Sequence, residues 1–108
     1  VGIDTKEVAI PGEYALEQNY PNPFNPSTQI KFSLPISSNV RITIYNLLGE
    51  LVRELVNTDM NSGNHSVQWN SEDVSGKKVS SGIYFYELNA NGVNGNKFNQ
   101  IRKMILLK

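Results

Sequence analysis

The sequence predicts an all-β fold, an antiparallel sandwich of six to eight short strands, about seven in all. Three observations predict it. Apolar and polar residues alternate with period two over most of the chain, clusters of Gly, Pro, Asn and Ser return every ~8–12 residues, and no helix-length amphipathic stretch survives inspection. At 108 residues the chain has the size of one domain. Such a domain buries roughly two-thirds of the surface its unfolded form exposes, which is enough for one core without staples.

The elements follow in order. Residues 1–13 carry weak periodicity and end in Ile10-Pro11-Gly12-Glu13; they read as a linker with a short strand around 7–10. Residues 20–26 hold three prolines, which fix φ and push the preceding residues into extended backbone, so this segment is a stiff loop. Ile30, Phe32 and Leu34 then alternate with polar neighbours, as do Val40, Ile42 and Ile44, with a turn at Pro35 to Asn39. Asn46 to Glu50 is the next turn, its Gly49 free to take positive φ, and residues 51–56 form a strand. Residues 59–64 read as a polar loop, and His65, Val67 and Trp69 alternate in a further strand. Residues 70–82 are turn-rich. Residues 83–90 form the most strand-like run, with Tyr84, Tyr86 and Leu88 on one face. Two Asn/Gly pairs in residues 91–96 mark a hairpin turn before a last strand at 97–107. Its inward residues are Ile101, Lys103, Ile105 and Leu107 or their neighbours, because Met104 to Leu107 is apolar on both phases.

Composition excludes several functions. Ten Lys plus Arg balance ten Asp plus Glu, so there is no basic footprint for nucleic acid or for an anionic membrane surface. The absence of cysteine removes disulfides, thiolate metal sites and cysteine nucleophiles together. No apolar run approaches the ~20 residues of a transmembrane helix, and no signal peptide opens the chain. It begins with Val1 rather than Met, the expectation for a piece of a longer polypeptide.

Catalytic and metal residues are sparse, and the expectation is no enzyme and no cofactor. His65 is the only histidine, and beside Val67 and Trp69 it reads as an edge-of-core residue. Glu72-Asp73 is the only adjacent acidic pair, without a facing partner across a cleft. Asn70, Glu72, Asp73, Ser75 and Gly76 superficially suggest a calcium loop, but the spacing departs from that pattern and turn chemistry explains the same residues. Gly76 and Gly82 flank Lys77-Lys78 without a following helix to meet a phosphate. Asn64-His65-Ser66 fits a glycosylation triplet that arises often by chance. Tyr14, Tyr20, Trp69, Tyr84 and Tyr86 are read as core or cross-strand aromatics ahead of a sugar-stacking surface.

From Tyr14 onward, blocks of residues in a fixed order resemble a known family. They are Leu16-Glu17-Gln18-Asn19-Tyr20-Pro21-Asn22-Pro23-Phe24-Asn25-Pro26-Ser27-Thr28, then Ile30 to Pro35, and then Val40 to Asn46 running into Leu47-Leu48-Gly49-Glu50-Leu51-Val52. His65 to Asn70, Ser80-Ser81-Gly82-Ile83-Tyr84-Phe85-Tyr86 and Lys103-Met104-Ile105-Leu106-Leu107-Lys108 complete the set. Together they resemble the type A C-terminal sorting domains of the type IX secretion system, which are related to the immunoglobulin-like domain of flagellar hook-capping proteins. Asn70-Ser71 departs from the Asp-Gly that relatives often carry.

The resemblance implies an immunoglobulin-like, non-catalytic sorting domain over residues 14–108, joined through the 1–13 linker to an upstream passenger. The implied partners are the outer-membrane translocon and a sortase-like protease. The implied route is periplasmic transit, then the cell surface or the medium. Translocon recognition is expected through the unpaired backbone of an edge strand, Lys97–Lys108, with Lys103, Met104, Ile105, Leu106, Leu107 and Lys108 as its recognition residues; an ordinary central strand is the alternative. Cleavage is expected within residues 1–13. Phe24 is expected to plug the open end of the sandwich. The rival reading is a carbohydrate-binding or structural immunoglobulin-like accessory module of an extracellular enzyme.

Overall fold

The computed structural model describes residues 11–108; the short strand expected at 7–10 and most of the 1–13 linker lie outside the described residues. Seven strands follow one another: β1 (Ala15–Leu16), β2 (Thr28–Leu34), β3 (Ser38–Asn46), β4 (Leu51–Met60), β5 (Gly63–Trp69), β6 (Gly82–Gly92) and β7 (Lys97–Leu106). They form two antiparallel sheets, ordered β1-β2-β5 and β4-β3-β6-β7. This is the all-β sandwich the alternation predicts. No described helix is long and apolar enough to cross a membrane.

The core sits where the inner phases of both sheets meet. Leu16, Ile30, Phe32, Leu34 and Trp69 come from one sheet; Val40, Ile42, Ile44, Tyr86, Leu88, Met104 and Leu106 come from the other. Burying each such side chain contributes about 1.5–3 kcal/mol. Tyr84, Tyr86 and Leu88 share the inner face of β6 as expected.

Two readings need correction, and the phase of β7, left open by the sequence, is decided. The polar loop expected at 59–64 is only Asn61 and Ser62: β4 stays paired with β3 as far as Ser38↔Met60, and β5 pairs with β2 from Leu34↔Gly63. The polar residues Asn57, Thr58 and Asp59 are strand residues turned to solvent. On β7 the inner phase belongs to Met104 and Leu106, both fully buried, so Ile105 and Leu107 lie off the core. The second correction is β1, which alternation missed because the strand is two residues long.

β1 belongs to a longer strap, residues 14–24, that runs parallel to β7 and closes one side of the sandwich. Tyr14 stacks on Phe98 at 5.3 Å between ring centroids. The Leu16 carbonyl accepts from Arg102 Nε. Gln18 Nε2 donates to the Lys103 carbonyl at 2.8 Å.

Candidate functional site

The motif residues converge on the end of the sandwich where β7 finishes. Asn19 begins the convergence. It is buried, and its Nδ2 donates to Thr28 Oγ1 at 2.9 Å and to the Pro21 carbonyl at 3.2 Å. Its backbone N–H donates to the Tyr86 hydroxyl at 2.8 Å, and that hydroxyl donates onward to the Glu17 carbonyl at 2.6 Å. Burial pushes the Tyr86 phenol up to about 12. Tyr20 exchanges backbone hydrogen bonds with Gln29 while its ring stands in solvent. Pro21, Pro23 and Pro26 each follow a cis peptide bond.

Asn22 and Phe24 then reach β7 itself. Ile105 N–H donates to Asn22 Oδ1 at 2.9 Å. Phe24 N–H donates to the Ile105 carbonyl, and Leu107 N–H donates to the Phe24 carbonyl, both at 3.0 Å. The Phe24 ring is buried, 5.8 Å from Trp69 between centroids, and plugs the end of the core. The far end of β7 is therefore an edge strand whose outward backbone groups already have partners. Among the described residues the unpaired edge expected over Lys97–Lys108 is closed from the Lys103 carbonyl onward and open before it.

Of the other motif positions, Gly82 and Tyr84 flank the same point, and Gly49 lies beyond β6 on the turn between β3 and β4. Gly82 lies opposite Leu106, and Tyr84 opposite Met104. Tyr84 is buried, edge-on to Trp69 at 5.4 Å, and donates to the Ser80 carbonyl at 2.6 Å. Gly49, at φ +82°, turns β3 into β4 with its N–H on the Asn46 carbonyl. Asn46 Oδ1 accepts from the Leu48 and Glu50 amides and locks that turn. Lys108 N–H donates to Ser81 Oγ at 3.0 Å. A shallow groove of 260 Å³ separates Leu47 and Leu48 from Ser80 to Ile83. Its exposed apolar side chains are Leu48, 83% exposed, and Leu47, 64% exposed; Leu51 and Leu107 are exposed as well.

The chain belongs to the secretion system C-terminal sorting domain family. Its family profile matches residues 18–106.

Solved structures agree on the sorting domain's fold. Dimeric latent PorU from Porphyromonas gingivalis is 21% identical with a TM-score of 0.70, over 88% of this chain and 9% of PorU. FlgD from Xanthomonas campestris, described for hook capping in flagellar assembly, is 18% identical with a TM-score of 0.62, over 87% of this chain and 69% of that one. PorZ, a surface component of the type IX secretion system of P. gingivalis, is 18% identical with a TM-score of 0.52, over 88% of this chain and 11% of PorZ. The sorting domain thus spans about a tenth of PorU and of PorZ. No curated protein matches it at a significant level.

The remaining candidates have structural explanations. His65 stacks on Phe32 at 5.4 Å, and its Nε2 lies 2.8 Å from the Asn61 carbonyl. Asp73 Oδ1 accepts from the Ser75 hydroxyl and from the Ser75 and Lys77 amides, a turn lock that holds its carboxyl below the usual carboxylate range. Among the described residues no group of three or more His, Cys, Asp or Glu side chains is placed to hold a metal ion. Sequence reasoning missed Gln18 and Arg102 as ties between strap and strand; their partners lie 85 and 86 residues away, and no local pattern encodes that.

Proposed function

We propose that this domain is read by the type IX outer-membrane translocon at the end of the sandwich where β7 finishes. Recognition uses the side chains that residues 103–108 turn outward, Lys103, Ile105, Leu107 and Lys108, while Met104 and Leu106 hold the strand in place. The passenger crosses the periplasm attached to residues 1–13. A sortase-like protease cuts within that linker, leaving the passenger anchored at the surface or released. The domain works as a label and as a protease substrate, without chemistry of its own.

One observation carries this reading. The motif residues Asn22 and Phe24 of the strap and Gly82 and Tyr84 of β6 all meet the last residues of β7, where Leu107 stands exposed. A mere spacer has no need to gather them there. The accessory carbohydrate-binding alternative is weakened because Trp69, Tyr84 and Tyr86 are buried, leaving Tyr20 as the exposed ring among the aromatics considered for stacking.

The test is a full-length precursor carrying Lys103→Glu, Leu107→Ser and Lys108→Glu together. All three residues are exposed, so the domain should melt as the parent does. The expected result is a passenger retained inside the cell with the domain folded. Normal surface display of this variant would overturn the recognition site. Normal display after removal of the whole domain would overturn the sorting function itself.

A further inference from the structure

β7 is an edge strand with two distinct halves. In its last part, outward backbone groups belong to odd-numbered residues, as the bonds of Lys103, Ile105 and Leu107 to the strap show. The even-numbered residues face β6 in the alternating ladder. The same phase leaves the N–H groups of Asn99, Ile101 and Lys103 and the carbonyls of Asn99 and Ile101 without a partner among the described residues. Here the strap touches β7 only through side chains, Tyr14 on Phe98 and Arg102 onto Leu16. Among the described residues the first half of β7 is thus a strand edge with a row of free donors and acceptors.

Its charge is one-sided. Residues 97–108 carry Lys97, Arg102, Lys103 and Lys108 and no acid, although the whole chain is neutral; the neighbouring acid on that face is Glu87 of β6, opposite Ile101, and its carboxylate accepts from Asn99 Nδ2 at 2.7 Å. The ion pairs among the described residues are Arg41–Glu54 and Lys78–Glu72, so none of these four cations is answered by a carboxylate there. Along the outward phase the side chains read Lys97, Asn99, Ile101, Lys103, with Ile101 54% exposed.

We infer that the Lys97 to Lys103 edge of β7 accepts an acidic, extended polypeptide segment as a fifth strand of the β4-β3-β6-β7 sheet. Backbone pairing supplies the binding, and side chains opposite the outward phase select the sequence. The matching segment places acids opposite Lys97 and Lys103 and an apolar residue opposite Ile101, because cross-strand pairs of opposite charge stabilise and like pairs do not. The strap limits the added strand at the Lys103 end. A second copy of this chain fits poorly: antiparallel pairing about residue 100 sets Lys97 against Lys103 twice. This inference rests on the reading that β7 is offered to an export partner, and it names the chemistry of that partner.

The probe is a capped peptide, Glu-Thr-Val-Thr-Asn-Thr-Glu, added to the 108-residue chain. The expected result is slowed hydrogen exchange at the Asn99, Ile101 and Lys103 amides, with Met104 unchanged. Lys97→Glu and Lys103→Glu should each weaken binding about threefold. The same peptide with lysine for glutamate should bind the double variant better than the parent does. Ile101→Pro removes an outward N–H and no ladder bond, so it should fold and abolish binding. No protection at those amides, equal binding of acidic and basic peptides, or protection that tracks self-association without peptide would each overturn the inference. Export lost on domain deletion, with no peptide binding, sinks this inference alone. Peptide binding with export unaffected by domain deletion sinks the sorting reading and leaves the acidic-strand site standing.

Discussion

Tyr86 shows how a single hydroxyl joins strap to core. It is fully buried, accepts from the Asn19 amide and donates to the Glu17 carbonyl. Tyr86→Phe strands that amide, and the loss should be about 1–3 kcal/mol by urea unfolding. The phenol also sets an alkaline limit. Its folded value, about 12, lies above the ordinary 10.0, with desolvation as the main cause. Between those values the unfolded chain has lost the proton and the folded chain keeps it, so stability falls as pH rises from 10 to about 12. Melting curves across that window should show the fall in the parent and a smaller one in Tyr86→Phe. Ser71 is a second case. It holds φ 64° without being glycine, and its hydroxyl donates to the Pro26 carbonyl. Ser71→Ala keeps the left-handed backbone and removes the bond, so it should destabilise by about 1–3 kcal/mol in the same assay.

At the scale of elements, the strap and β7 form one mechanical unit. Phe24 supplies both the end plug and two backbone bonds to β7. Phe24→Ala should therefore cost about 3–5 kcal/mol and speed exchange of the Leu107 amide, which Phe24 normally covers. Phe24→Leu should restore most of the protection, because the backbone bonds survive any side chain that still seats the loop. The legibility of the elements follows the same physics. β2 and β6 were readable because one face is buried and the other wet, which writes period two into the residues. β4 was read short because its last residues face solvent on both phases and resemble a loop. The phase of β7 was undecidable locally: Met104 to Leu107 is apolar throughout, and only packing makes Met104 and Leu106 the buried pair. The motif named the strap's residues, but not that Asn22 and Phe24 close the edge of a strand some 80 positions later in the chain.

For the whole molecule, the last residues have two functions that a truncation cannot separate. Removing Met104 to Lys108 deletes two fully buried side chains and the partners of Asn22 and Phe24 together. Each buried aliphatic loss costs about 2–5 kcal/mol, against a total stability of about 5–15 kcal/mol for a domain. The truncated chain should therefore be unfolded at 25 °C by circular dichroism, and its failure to be exported would report folding as much as recognition. The outward variant at Lys103, Leu107 and Lys108 makes the opposite prediction, an unchanged melting transition with export lost. If a stabilised truncation, refolded in osmolyte, regained export, the terminal side chains would serve the fold alone and recognition would lie elsewhere on the sandwich.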